Sequence, residues 1–143
     1  MIPTLHPEMT PEYWNKRSEG QFPGLIGITI LGVEPGVVTG RLEIQQHHLA
    51  GNGYLHAATV VGLADTISGY GCVAHLPEAA TGFTTVELKS NHVGTARSGA
   101  IHGRATLTHA GRTTQVWDAE VTDESTGKLI ALFRCTQMVL YSK

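Results

Sequence analysis

The chain has 143 residues, a common length for one compact domain, so we expect a single domain over residues 1–143. Charged residues make up 15% of the chain, against about 25% in typical soluble proteins, which indicates that part of the surface is covered in an oligomer. The net charge of −2 argues against a nucleic-acid-binding protein, because such proteins usually carry a strongly basic face.

The first third of the chain predicts a short helix followed by a β-hairpin. Thr10 and Pro11 form a helix-start pattern, and a glycine ends the helix that we predict over residues 10–20. Segments 25–34 and 36–45 are rich in β-branched residues and are joined by a Pro-Gly turn, which is typical of a hairpin.

The centre of the chain is an apolar run over residues 56–76 that contains no proline and predicts one long buried helix. Its length approaches that of a membrane span, but Asp65 and several glycines argue against one, so we expect no membrane partner. Four strand candidates follow: residues 81–93, 99–110, 112–124 and 128–141. Turn residues separate them. The pattern predicts an α+β fold in which an antiparallel sheet covers the long helix on one face.

One of these strands has an ambiguous pattern. In the strand over residues 112–124, Val116, Ala119 and Val121 interrupt strict apolar–polar alternation, so its register is not fixed by the sequence.

Asp65 is the one carboxylate in the apolar helix. The residues three and four positions away from it carry no opposite charge, and only Ser68 offers a hydroxyl on the same face. Burying a carboxylate costs several kcal/mol unless partners or function compensate. Two explanations stay open: a catalytic carboxylate, or a structural aspartate paired with an arginine distant in sequence.

The start of the long helix is a second candidate. His56 and Ala57 open it after a loop that contains Asn52 and Gly53, and the free Ala57 amide can hydrogen-bond a carbonyl oxygen that becomes an oxyanion. The alternative is an ordinary helix start with a solvated amide.

The spacing of these two features implies two subunits if they serve one reaction. Ala57 and Asp65 are eight residues apart, which is about 12 Å along a helix. A reacting carbonyl needs its hydrogen-bond donor and its attacking group within about 3 Å. The sequence then predicts two antiparallel helices across a two-fold axis, each contributing one feature to a shared site.

Other chemistries find little support in the sequence. The eight histidines show no HExxH or HxH spacing, and Cys72 and Cys135 form no CxxC pair, so we expect no metal. No GxSxG, GxGxxG or P-loop pattern occurs, so we expect no nucleotide or redox cofactor. The first ten residues lack the pattern of a signal peptide, so we expect a cytoplasmic protein. Arg97 and Arg112 lie near predicted turns and can hold phosphates, or can be solvated turn residues.

Two segments together resemble the hotdog-fold acyl-coenzyme A thioesterases. GYLHAATVVGLADTISG is similar to the family pattern G-x-x-H-G-G followed by an acidic residue, and ELKSNHVGTARSGAIHGRATLTHAGRTTQVWDAEVTDESTGKL is similar to a segment of several members. These members are the glutamate-using 4-hydroxybenzoyl-CoA, the dihydroxynaphthoyl-CoA, the enterobactin-pathway and the phenylacetate-pathway thioesterases. The resemblance implies an antiparallel sheet wrapped around one central helix, assembled into homodimers and homotetramers.

The resemblance also implies roles for individual residues. Asp65 falls on the catalytic acid, Ala57 on the residue whose amide polarises the thioester carbonyl, and His56 on the preceding histidine. Thr85 and Ser68 fall on or beside supporting hydroxyl positions. The positions around the coenzyme A ester are Asn52, Gly53, His92, Arg97, Gly111 and Arg112.

The chain departs from the family pattern at four places. Alanines stand where the family has Gly-Gly, Ala50 replaces an expected Asn or Gln, the acid is Asp in place of Glu, and Gly69 replaces a hydroxyl. We therefore predict hydrolysis of an acyl- or aryl-coenzyme A ester. The alternatives are a non-catalytic acyl-CoA sensor and a hydratase or dehydratase, which needs a differently placed His and acidic pair that His48 and Asp65 match poorly.

Overall fold

The computed structural model describes residues 2–143. The helices are α1 (Pro11–Ser18), α2 (Phe22–Leu25) and α3 (Ala57–Ala74). The strands are β1 (Ile28–Glu34), β2 (Val37–Glu43), β3 (Ala80–His92), β4 (Ala100–Ala110), β5 (Thr114–Asp123) and β6 (Leu129–Tyr141). A short 3₁₀ turn over Gln46–His48 lies in the connection that leads to α3.

All six strands form one antiparallel sheet in the order β1-β2-β4-β5-β6-β3. The sheet wraps around α3, with α1 at the N-terminal side packed against β1. This arrangement confirms the predicted α+β fold, with one long central helix inside an antiparallel sheet and a short helix at the start of the chain.

The predicted first helix forms, and its start is capped as expected. The Thr10 hydroxyl accepts a hydrogen bond from the Tyr13 amide at 3.2 Å, and Pro11 occupies the first helical position. The second helix, α2, differs from the sequence prediction, which places Leu25 and Ile26 in the first strand. A proline near its start and Gly27 at φ +86° confine these residues to one helical turn, so β1 begins at Ile28.

Glycines let α3 approach the sheet closely. A Cβ added to Gly103 in β4 would lie 2.8 Å from Ile67 Cδ1, and one added to Gly71 in α3 would lie 2.6 Å from the Trp117 ring. By length and composition α3 passes as a membrane span, with a mean hydropathy of 1.2. However, 56% of it is buried inside the protein, as expected for the central helix of a sheet-covered core.

The register of β5, which the sequence left open, follows strict alternation in the structure. Trp117, Ala119 and Val121 are buried on the helix side, and Gln115 continues the same row. Gln115 is tolerated in the core because its amide donates to the His75 carbonyl at 3.1 Å and its oxygen accepts from Trp117 Nε1 at 2.9 Å.

Strand β3 is an edge of the sheet and is unusually exposed. It has 13 residues and pairs on one side only, with β6. None of its residues is fully buried, and Val86 and Leu88 are 54% and 42% exposed. A long, exposed edge strand of this kind presents unpaired backbone groups to another chain.

Candidate active site

Asp65 lies on the strip of α3 that the sheet does not cover. The helix residues on its two sides, Ala64 and Ile67, are fully buried, whereas Asp65, Val61 and Val73 are half-buried. The spacing of the half-buried positions follows the helical repeat, so they form one stripe along the helix. Asp65 therefore borders the open side of the core.

The Asp65 carboxylate has no partner among the described residues. Its Oδ1 atom is buried and accepts no hydrogen bond, and burial raises the pKa of the carboxyl group. The ion pairs found in the described chain are elsewhere, Arg41 with Glu124 and Arg134 with Asp118. Within one subunit, residues 2–143 thus provide no distant arginine of the kind that the structural explanation of Asp65 required.

A cleft of about 320 Å³ opens beside Asp65. Its walls come from four elements: Tyr13, Trp14 and Arg17 of α1, Pro23 of α2, Asp65 and Tyr70 of α3, and Phe83 of β3. The sequence assigned no role in the site to α1. The i, i+3 spacing of Trp14 and Arg17 places both on one face of the helix, but only the fold shows that this face meets Asp65.

Ser68 lies one turn after Asp65 on the covered side of α3. Its hydroxyl is fully buried and lies beside the Cys135 thiol of β6. Burial, with a contribution from the nearby Asp65 carboxylate, raises the pKa of Cys135 to about 12. Cys72 is similarly buried, with a pKa raised to about 12, so both cysteines are neutral thiols and neither is an activated nucleophile.

The start of α3 is exposed and partly capped. His56 is the N-cap residue, and its Nδ1 atom accepts a hydrogen bond from the Ala58 amide at 2.9 Å. The Thr59 amide donates to the His56 carbonyl at 3.0 Å. The structure shows no acceptor in the described chain for the Ala57 amide, which is the first of the helix. This amide is free to bind a ligand oxygen.

Three of the predicted substrate-binding residues lie together beside this helix start. The Asn52 side chain accepts from the Tyr54 amide at 3.1 Å, which shapes the turn that contains Gly53 at φ +84°. The Arg97 guanidinium lies 4.9 Å from the centre of the Tyr54 ring. A hydrogen bond from the Leu55 amide to the Ala96 carbonyl, at 2.9 Å, ties the two loops together.

Thr85 and His92 are exposed residues of β3. Thr85 lies opposite Gln137, which is fully buried on the helix side of the sheet, so Thr85 is on the same side as Asp65. Phe83, two residues earlier, lines the cleft beside Asp65. His92 ends the strand, opposite Ala131, where the chain turns toward the loop that carries Arg97.

Gly111 and Arg112 lie at the other end of α3 from Arg97. They form the β4–β5 turn, close to the point where Gln115 contacts His75 at the C-terminal cap of the helix. The helix of 18 residues is about 27 Å long. One chain therefore does not bring Arg112 together with Arg97.

His48, the histidine considered for the hydratase alternative, has hydrogen bonds at both ring nitrogens. It is 3% exposed; its Nδ1 accepts from the Gln45 amide at 2.8 Å and its Nε2 donates to the Ile26 carbonyl at 2.7 Å. Burial lowers the pKa of this imidazole, which agrees with the neutral form that these bonds require. Neither ring nitrogen is left to exchange a proton with a substrate.

Residues 2–143 contain no group of three or more His, Cys, Asp or Glu side chains arranged to hold a metal ion.

Comparison with other proteins identifies the family. The model of the thioesterase superfamily matches residues 52–130, more than half of the chain, from the Asn52 loop to the start of β6. A crystal structure of a thioesterase from Haemophilus influenzae superimposes with a TM-score of 0.86 at 26% identity, covering 92% of this chain and 91% of that one. The chain belongs to the thioesterase superfamily, and it is a thioester hydrolase with the hotdog fold.

Two bacterial relatives are similar over most of their length. A 1,4-dihydroxy-2-naphthoyl-CoA hydrolase from Listeria monocytogenes is 34% identical over 111 residues, covering 78% of this chain and 89% of the relative. A 1,4-dihydroxy-2-naphthoyl-CoA hydrolase from Escherichia coli is 29% identical over 136 residues, covering 93% of this chain and 96% of the relative.

Proposed function

We propose that the protein hydrolyses an acyl- or aryl-coenzyme A thioester to the free acid and coenzyme A. Asp65 acts as the nucleophile or as the general base for water, and the Ala57 amide polarises the thioester carbonyl. The observation that carries the proposal is the unpartnered Asp65 carboxylate, half-buried at an open cleft. An uncompensated buried carboxylate is costly, and a catalytic role gives a reason to retain it.

Coenzyme A as the thiol part is supported by two findings. Both bacterial relatives described above are named as hydrolases of a coenzyme A ester. In this chain, Arg97 is exposed beside Tyr54 and Gly53 in the loop that leads to α3, where its guanidinium is available to a phosphate. Arg112 is exposed in the β4–β5 turn and is available in the same way.

A homodimer supplies both halves of each site. Ala57 and Asp65 are about 12 Å apart along α3, too far to act on one carbonyl. Antiparallel α3 helices from two subunits bring Asp65 of one toward Ala57 of the other, and Arg112 of one toward the end that holds Arg97 of the other. The long exposed edge of β3, where Val86 and Leu88 are also exposed, supports pairing between two copies. A homotetramer of such dimers stays a prediction.

The test is release of free thiol from a panel of coenzyme A esters by wild-type protein and by Asp65→Asn. We expect the substitution to lower kcat by about a hundredfold or more, the range typical of a lost general base. Glu120→Gln is the matched control, because it also removes one carboxylate but from the exposed face of β5. Unchanged hydrolysis by Asp65→Asn would remove the catalytic assignment. Tight binding of esters without thiol release would support the sensor alternative.

A further inference from the structure

The cleft beside Asp65 has rigid aromatic walls. The rings of Trp14 and Tyr70 stack with centroids 4.0 Å apart and planes at 10°. The Ser18 hydroxyl donates its hydrogen bond to the Trp14 carbonyl at 2.8 Å. It therefore accepts the hydrogen bond from the Tyr70 hydroxyl, which lies 2.7 Å away. With the tyrosine hydroxyl held in this way and Phe83 on the β3 side, the walls suit a flat aromatic guest.

Two residues of the α1 wall, Trp14 and Arg17, carry hydrogen-bond donors that lack acceptors in the described chain, one of them buried and the other exposed. Trp14 is 2% exposed, and its indole N–H is buried without a partner in the described chain. Buried donors are nearly always hydrogen-bonded, so we expect a bound ligand to supply the acceptor for this N–H. Arg17, three residues later in α1, is exposed, contributes the only guanidinium or ammonium group of the cleft lining, and takes part in neither of the two ion pairs.

A bound acyl group would have its thioester end at Asp65 and its other end at the donors of Trp14 and Arg17. Asp65 is on α3, and Trp14 and Arg17 are on α1, so a thioester carbonyl at Asp65 leaves the distal end of the acyl group near α1. The cleft volume of about 320 Å³ is at the lower end of the range for small-molecule sites, about 300–1,000 Å³. It therefore has room for an acyl group while the coenzyme A arm lies outside.

We propose that this cleft takes an aromatic acyl group that carries a carboxylate, and that Arg17 and the Trp14 indole N–H bind that carboxylate. Arg17 supplies the charge and Trp14 a directed hydrogen bond, on the side of the cleft away from the reacting carbon. The proposal rests on the proposed function, since it assigns the acyl part of the same substrate. Arg17 and Trp14 are specificity residues and take no part in the hydrolytic step.

The test compares kcat/KM for benzoyl-CoA, 4-hydroxybenzoyl-CoA and 4-carboxybenzoyl-CoA. A charge-assisted hydrogen bond at a partly exposed site corresponds to about a tenfold preference for the carboxylated ester. Arg17→Met should abolish that preference and leave the benzoyl-CoA value within about twofold of wild type. Lys16→Met is the matched control, because it removes the same charge from the preceding exposed residue of α1, outside the cleft.

Two results would overturn the proposal. One is a wild-type protein without preference for the carboxylated ester. The other is an Arg17→Met variant that loses activity equally on all three esters, since this pattern means that Arg17 supports Asp65 or the fold.

Binding of the free acids keeps the cleft proposal separate from the hydrolysis proposal. Benzene-1,4-dicarboxylate should bind more tightly than benzoate by calorimetry, and Arg17→Met should remove the difference while Lys16→Met retains it. If no ester is hydrolysed but this difference is seen, the proposed function fails and the cleft assignment stands. Equal binding of the two acids would refute the cleft assignment. Trp14→Phe, which keeps an aromatic ring but lacks the N–H, should weaken only the dicarboxylate.

Discussion

Replacing Ala57 by proline removes one backbone donor from the site and leaves the helix intact. Ala57 is the first residue of α3, a position where proline is favoured because its amide has no partner within the helix. The preceding residue, His56, has φ −69° and ψ 135°, the extended conformation that a following proline requires. We therefore expect Ala57→Pro to fold normally. Loss of one oxyanion donor lowers kcat by about a hundredfold to a thousandfold.

Mixed dimers of Ala57→Pro and Asp65→Asn test whether the two residues act across the subunit interface. In such a heterodimer one site combines the intact Ala57 of one subunit with the intact Asp65 of the other, and the second site lacks both. Each heterodimer should then have about half of the wild-type kcat per dimer. Each variant alone should be nearly inactive. The two variants carry different affinity tags, so that the heterodimer is purified before thiol release is measured.

Ala57→Gly is the matched control for the proline variant, because it retains the amide and should keep most of the activity. Circular dichroism and thermal unfolding check that the proline variant is folded. A heterodimer no more active than its two parents would refute the shared site, since Ala57 and Asp65 would then not meet across the interface. A fully active Ala57→Pro protein would refute the role of the amide.

Burial raises the pKa of Asp65, and the reaction needs the ionised form, so kcat/KM should fall on the acid side with a midpoint above about 3.9, the ordinary value for aspartate. A midpoint at or below that value in a pH–rate profile would contradict this. The same shift means that the folded protein disfavours the ionised carboxylate. The free energy of unfolding of the wild type therefore falls as pH rises through the raised pKa. Asp65→Asn should remove this fall in denaturation curves measured at several pH values. Gly71→Ala should destabilise the protein by about 1–3 kcal/mol in urea unfolding, since the added Cβ would lie 2.6 Å from the Trp117 ring. Gly82→Ala is the control and should be nearly neutral, because a Cβ at that position meets nothing within 4 Å. Val86→Lys places a charge on the exposed edge of β3 and should halve the mass measured by light scattering; an unchanged mass would show that this edge does not join the subunits.

The main elements of the fold were predictable because their patterns are local. The apolar run of α3, the Thr10-Pro11 start of α1 and the Pro-Gly turn between β1 and β2 each lie within a few residues of the structure they specify. The short helix α2 was missed, since Leu25 and Ile26 continue an apolar segment that reads as a strand. The register of β5 was not predictable because the apolar Val116 lies on the face opposite Ala119 and Val121, whereas the polar Gln115 faces the core. Only contacts with Trp117 and His75 satisfy the Gln115 side chain there.

For the site, the sequence by itself determined that a carboxylate at Asp65 stands alone in an apolar helix and that a free amide opens that helix about 12 Å away. Both follow from spacing along one element. Only the tertiary structure decided that Asp65 lies on the uncovered strip of α3 without an arginine partner in the described chain, and that His48 is committed to two backbone contacts. The fold also brought α1 to the cleft, because Trp14 stacks on Tyr70 across 56 positions of sequence, a contact that no local pattern specifies.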